Sequence, residues 1–268
     1  MKKILSTVLI VMTMTLAGFA GEKIRLTGST TVLPVAQLTA EEFMNVNPDV
    51  TLSVQGGGSG VGIASLNDGA CDIANASRSM KDSEIKNAIS RGIHPTAHVV
   101  AMDGIAVVLH PSNPVQNLTK DQIRKIYTGK ITNWKQVGGA DKKIVVLSRD
   151  TSSGTYEAFA KLALNDEKVR KDALLNASNK AVETAVETTP GAIGYIGFGY
   201  ITKRVKLITV DGITCSKVTI LSKEYPFSRP LFMYTNGKPK GWIKKYIDFI
   251  LSKEGQALVE TAGYVGLK

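Results

Sequence analysis

Ser148-Arg149-Asp150-Thr151-Ser152-Ser153-Gly154-Thr155 joins a predicted strand to a predicted helix. The strand is expected over residues 142–147, where β-branched residues dominate, and the helix over residues 156–164. Hydroxyl residues and a glycine at a helix start leave backbone N–H groups free to bind an anion. Because Arg149 adds a positive charge, the stretch predicts an anion site, although an ordinary capped turn has the same composition.

The same order of strand, small-residue turn and helix occurs twice more. Residues 23–26 lead into Thr27-Gly28-Ser29-Thr30-Thr31, and residues 50–54 lead into Gln55-Gly56-Gly57-Gly58-Ser59-Gly60. Open α/β sheets bind ligands beyond the carboxyl ends of their strands, where such turns lie. Three turns of this kind favour one shared site over the alternative of three unrelated helix caps.

Two further segments contain charged candidates. Residues 71–76 read as a strand that ends in Ser77 and Arg78, and a guanidinium fork suits an anion with several oxygens. Residues 99–109 are apolar except at Asp103-Gly104. A buried acid needs a partner, so Asp103 is expected to pair with an arginine, to accept a proton from a ligand, or to cap a bend.

The order of these elements predicts an α/β fold with two lobes. Residues 99–109 and 205–210 are the candidate crossing strands of a two-strand hinge. We therefore expect residues 21–102 and 205–268 to form the first lobe and residues 103–204 the second.

The amino terminus indicates export. Lys2 and Lys3 precede a short apolar run, and small residues end it at Ala20, so residues 1–20 are predicted to be a cleaved secretory signal peptide. A membrane anchor is the weaker alternative, because the run is shorter than the roughly 20 residues that a spanning helix needs. The mature protein is expected in the periplasm.

Composition excludes several functions. The net charge is +10, but the lysines are dispersed along the chain, which together with export argues against nucleic acid as a partner. The sequence contains neither a dinucleotide nor a P-loop glycine motif, and no nucleophile elbow. Its histidines and cysteines lack metal-ligand spacing. No cofactor, metal or catalytic activity is predicted.

Taken together, the motifs resemble those of the phosphate-binding proteins of bacterial ABC importers, over nearly all of the mature chain. The matching stretches are residues 27–34, 57–60, 72–78, 129–134, 148–155 and 190–195. The resemblance implies a periplasmic binding protein type II fold. In that fold two α/β lobes close over a dehydrated phosphate and deliver it to an importer permease in the inner membrane, and a monomer is expected.

The resemblance also implies a ligand set. Matched by motif, the predicted ligand-binding residues are Ser29, Thr30, Thr31, Ser59, Ser77, Arg78, Arg149, Ser153, Gly154 and Thr155. Some relatives have an aspartate near the position of Arg78, where it accepts the proton of hydrogen phosphate. Here Asp103 or Asp72 would have to replace it. Sulfate, molybdate or tungstate are therefore alternative ligands, and a secreted hydrolase using Ser153 is a weaker alternative.

The lobe assignment also bears on Cys71 and Cys215. Both are expected at the remote end of the first lobe, and an oxidising compartment favours a disulfide between them.

Overall fold

The structure, a computed structural model, describes residues 21–267. The predicted signal peptide over residues 1–20 therefore lies outside the described residues. The strands are β1 (Glu22–Gly28), β2 (Val50–Gly56), β3 (Ile73–Ala76), β4 (Pro95–Leu109), β5 (Asn117–Leu118), β6 (Val145–Arg149), β7 (Leu174–Asn176), β8 (Ala192–Gly197), β9 (Lys206–Leu207), β10 (Thr209–Val210) and β11 (Ser228–Asn236). The helices are α1 (Leu33–Val46), α2 (Ser59–Asn67), α3 (Asp82–Ser90), α4 (Lys120–Tyr127), α5 (Gly154–Ala163), α6 (Asn179–Thr188), α7 (Lys217–Leu221), α8 (Gly241–Leu251) and α9 (Lys253–Thr261).

One curled sheet runs through the described residues, with strand order β2-β1-β3-β11-β4-β8-β6-β7. At one end β1 pairs in parallel with β2 and β3, and at the other β6 pairs in parallel with β7 and β8. Antiparallel β11 and β4 connect these two groups. In both groups the parallel strands are connected through helices, as expected for strand–turn–helix units.

Buried apolar residues separate into two lobes. The first lobe packs α1, α8 and α9 on one face of its strands and α2 on the other, with buried residues drawn from 24–101 and 231–264. The second lobe has one core, with buried residues drawn from 105–227 and Val265. Strand alternation explains the first core, because Ile24 and Leu26 point inward while Lys23 and Arg25 are exposed.

The chain returns to the first lobe later than the sequence suggested. Apolar residues between Val205 and Phe227 pack in the second core, and β9 pairs with the part of β4 that lies in the second lobe. The return crossing is instead at Phe227–Ser228, where Ile105 N donates to Phe227 O at 3.0 Å. The predicted boundary at residue 205 is therefore replaced by one at about residue 228.

The cysteines lie in different lobes, and the predicted disulfide is wrong. Cys71 is buried in the first lobe beneath α2, with its Sγ 3.8 Å from Gly62 O. Cys215 is buried in the second lobe against Gly104, where an added Cβ would lie 2.6 Å from its Sγ. Both thiols are free, because residues 205–227 fold onto the second lobe.

Among the described residues, no helix has both the length and the apolar character required to cross a membrane.

We predict that the two thiols react with a thiol reagent only when the protein is unfolded. Burial, with a smaller effect of Asp72, raises the pKa of Cys71 to about 12, and burial also raises the pKa of Cys215, so little thiolate forms near pH 7. Titration of unreduced protein in denaturant should find two thiols, and the folded protein should react slowly. Finding no reactive thiol in denaturant would indicate that Cys71 and Cys215 form a disulfide.

Candidate functional site

Three helix starts converge where the lobes meet. They are the turn before α1, the start of α2 and the start of α5. The Oγ1 atoms of Thr31 and Thr155 are 2.7 Å apart, which joins the first turn to the third. An added Cβ at Gly154 would lie 2.2 Å from Ser59 Oγ, so only glycine permits the approach of α5 to α2.

The residues around these helix starts form a polar cluster from which water is largely excluded. Its side chains are 8% exposed or less; they are Ser29, Thr30, Thr31, Ser59, Ser77, Asp103, Arg149, Ser153, Thr155, Asn179 and Arg229. The N-termini of α2 and α5 carry partial positive charge, which favours an anion. The cluster is therefore rich in N–H and O–H donors.

The lobes touch directly at the rim of the polar cluster. Gly60 N donates to Ser152 O at 2.9 Å, and Ser152 Oγ donates to Gly57 O at 3.2 Å. These contacts join the glycine-rich turn of the first lobe to the start of α5 in the second. The structure is thus that of the closed form.

Several hydroxyls of the polar cluster accept hydrogen bonds from backbone N–H groups. Ser153 is the N-cap of α5, and its Oγ accepts from Tyr156 N at 3.2 Å. Ser29 Oγ accepts from Thr31 N at 3.1 Å. Ser77 N donates to Ser59 Oγ at 3.0 Å. In these bonds the oxygen is the acceptor, which leaves the hydroxyl hydrogens of Ser29 and Ser153 available for a second partner. Ser59 and Ser77 also share a hydrogen bond of 3.3 Å between their Oγ atoms.

Arg149 is a buried cation, and no acid of residues 21–267 forms an ion pair with it. Its Nε donates to Asn176 O at 2.9 Å and its Nη2 to Ala177 O at 3.0 Å, while its buried Nη1 has no hydrogen-bond partner in the described part of the chain. Burial lowers its pKa, because the charged form is desolvated. A buried guanidinium of this kind is stabilised by an anionic ligand.

Asp103 and Arg229 form a buried ion pair at the crossing strands. Asp103 Oδ2 accepts from Arg229 Nε at 2.9 Å, and Oδ1 accepts from Phe198 N at 2.8 Å. Burial raises the pKa of Asp103, and both donors oppose that rise by stabilising the carboxylate. The other nitrogens of Arg229 donate to Ser77 O at 3.0 Å and to Thr155 Oγ1 at 2.9 Å.

Sequence reasoning missed three residues that contact the predicted ones. They are Arg229, Asn179 and Tyr200. Asn179 Nδ2 donates to Thr31 Oγ1 at 3.0 Å, and Tyr200 OH donates to Thr30 O at 2.7 Å. The start of α6 after Ser178 could have indicated Asn179, because it is another helix start that follows a strand. No comparable sequence signal indicates Tyr200.

Two predicted residues lie outside the polar cluster. Arg78 directs its guanidinium to Glu84 and Glu157. Asp72 pairs with exposed Arg25 at 3.2 Å on the surface of the first lobe. The remaining predicted ligand residues are brought together, and their contact with a ligand stays a prediction. Within residues 21–267 no group of three or more His, Cys, Asp or Glu side chains could hold a metal ion.

Two lobes that meet around a buried, donor-rich cluster are the architecture of a solute-binding protein that closes around its ligand. A family model described as a PBP superfamily domain matches residues 15–254. The chain is 35% identical to the phosphate-binding protein PstS of Bacillus subtilis, over 92% of this chain and 81% of that protein. The chain belongs to the PstS family of phosphate-binding proteins.

Solved structures agree with this assignment. A phosphate-bound crystal structure of an ABC transporter substrate-binding protein from Clostridium perfringens is 36% identical and has a TM-score of 0.86, covering 92% of this chain and 100% of that one. An ABC-type phosphate transport receptor from Vibrio cholerae is 35% identical with a TM-score of 0.76, covering 90% and 99%. The predicted two-lobed α/β periplasmic binding protein fold is confirmed.

We predict that Asp103→Asn destabilises the protein by about 3–5 kcal/mol, because the substitution leaves the buried Arg229 charge without its acid. Urea unfolding followed by circular dichroism measures the loss. Asp72→Asn is the matched control, since it removes an acid from the exposed Arg25 pair and should leave the unfolding free energy nearly unchanged. Equal effects of the two substitutions would contradict a structural role for the Asp103 pair.

Proposed function

We propose that the protein captures inorganic phosphate between its two lobes and delivers it to the permease of an ABC importer. The observation that carries the proposal is the buried Nη1 of Arg149, which has no partner among the described residues although the lobes are closed. The names of the relatives, all phosphate-binding or phosphate-transport proteins, support phosphate as the anion.

The donors suggest how phosphate is bound. Arg149 supplies the fixed charge, and its Nε and Nη2 are anchored to the backbone of the second lobe, so Nη1 needs no reordering to meet the ligand. The hydroxyls of Thr31 and Thr155 come from opposite lobes, as do the N-termini of α2 and α5. Because both lobes contact one anion, binding stabilises the closed form over the open one.

We further propose that phosphate leaves chemically unchanged. A serine nucleophile needs an adjacent general base, yet the Oγ of Ser153 accepts its hydrogen bond from the backbone of Tyr156. Among the described histidines with hydrogen-bonded rings, His98 pairs with Thr235 and His110 with Ser112, both outside the polar cluster. A binding role therefore fits the surroundings of Ser153 better than hydrolysis does.

The family and the amino-terminal sequence support a proposal for where the protein acts. We propose that the chain is exported with cleavage after Ala20, acts in the periplasm as a monomer, and docks on the permease in its closed form. Phosphate would thereby reach the membrane already stripped of water by the donors of the two lobes.

We predict that Arg149→Ala weakens phosphate binding by about 1.5–3 kcal/mol or more, the range for hydrogen bonds to a charged group. Isothermal titration calorimetry with inorganic phosphate measures the change. Arg204→Ala is the control, because Arg204 lies on the surface of the second lobe and pairs with Glu187. Unchanged affinity in the Arg149 variant would remove Arg149 from the binding site.

Competition between oxyanions tests the choice of ligand. Protein loaded with radiolabelled phosphate is titrated with each unlabelled anion, and we expect unlabelled phosphate to displace the label at lower concentrations than sulfate, molybdate or tungstate does. The reason is that the hydroxyls in the cluster can accept the proton of hydrogen phosphate as well as donate, whereas sulfate has no proton to offer. Stronger displacement by one of the other anions would make that anion the ligand.

A further inference from the structure

A second group of charges joins the lobes outside the polar cluster, and it begins with Arg78. This side chain is 8% exposed. Its Nη1 and Nη2 donate to the two carboxylate oxygens of Glu84 at 2.8 and 2.7 Å, a bidentate arrangement with strong directional preference. Glu84 lies in the first turn of α3 and also accepts from Lys81 N at 2.8 Å. The first lobe alone therefore fixes the orientation of Arg78.

The second lobe supplies the partner for the remaining nitrogen. Glu157 lies in the first turn of α5, and its Oε2 is 2.9 Å from Arg78 Nε and 2.7 Å from Lys81 Nζ. The contact with Nε is an ion pair without the alignment of a hydrogen bond. Both contacts cross between the lobes. They consequently form when the lobes close and break when they open.

The four side chains are balanced in charge, and three of them are largely shielded from solvent, whereas that of Lys81 is 54% exposed. Burial acts to raise the pKa of Glu84, but the hydrogen bonds from Arg78 and Lys81 outweigh it and hold that pKa below its usual value. The side chains of Glu157 and Arg78 are 17% and 8% exposed, so this pair is screened less than surface pairs are. Each of the three guanidinium nitrogens of Arg78 already faces a carboxylate oxygen.

We infer that Arg78, Lys81, Glu84 and Glu157 form an interlobe latch, in which Glu157 slows ligand release without touching the ligand. Phosphate can leave only after the lobes separate, and separation must break both ion pairs of Glu157. Arg78 pairs with Glu157 across the lobes and thereby stabilises the closed form. It is not a phosphate ligand. The effect on phosphate rests on the proposed function, whereas the effect on closure does not.

The test compares Glu157→Gln with a matched control. Glu167 also accepts from one arginine and one lysine, Arg124 at 2.7 Å and Lys130 at 3.1 Å, but all three residues belong to the second lobe. After loading with radiolabelled phosphate and a chase with unlabelled phosphate, Glu157→Gln should release phosphate about tenfold faster than wild type. Glu167→Gln should stay within about twofold of wild type.

A double variant separates the latch from direct ligand contact. In the Glu157→Gln background, Arg78→Gln should change release by no more than about twofold, because the shared interaction is already lost. A further large loss of phosphate affinity in that background would make Arg78 a ligand and would overturn its assignment to the latch.

Small-angle scattering tests closure without relying on phosphate transport. Glu157→Gln should give a larger radius of gyration than wild type under matched conditions, with or without phosphate. If wild-type protein fails to bind phosphate, the proposed function fails, and a scattering difference still supports the latch. Coincident scattering curves overturn the latch, and so does unchanged phosphate release from Glu157→Gln.

Discussion

The buried ion pair of Asp103 and Arg229 is the interaction on which the arrangement of the two lobes depends. The two residues are directly opposite each other on β4 and β11, where both strands pass between the lobes. Arg229 also donates to Ser77 O in the first lobe and to Thr155 Oγ1 in the second. One guanidinium therefore holds a residue of each lobe. The geometry of the Asp103–Arg229 pair thereby sets the distance between the hydrogen-bond donors on the two sides of the polar cluster.

The polar cluster contains one cation that an acid neutralises and one that no described acid pairs with. Arg229 has its acid at 2.8 Å, so its charge contributes little net attraction to a ligand. Arg149 is equally buried, yet its described partners are carbonyl groups. The desolvation cost of that second charge is uncompensated among the described residues, and in the proposed function an entering anion would compensate it.

Local patterns in the sequence were enough to predict the three turns. Each one is contiguous with its strand and its helix, and the periodicity on either side defines its place. The second crossing was not predictable in this way. Residues 205–210 look like one apolar strand, but they form two short strands, β9 and β10, which pair with β4 and β5. Which strands they pair with depends on which strand edges the rest of the fold leaves unpaired. The position of Cys215 depends on the same packing.

A comparison of Arg149 with three other arginines shows why ligand residues are harder to predict than turns. Arg25 pairs with Asp72 on the surface, Arg78 pairs with two glutamates across the lobes, and Arg229 pairs with an acid 126 residues away. Arg149 differs from these three because its partners in the described part of the chain are carbonyl groups and no acid. A sequence shows which residues can carry charge, but whether a charge is neutralised depends on contacts a few ångströms long between distant segments. The cation proposed to bind the ligand therefore differs from the others in its unpaired charge among the described residues.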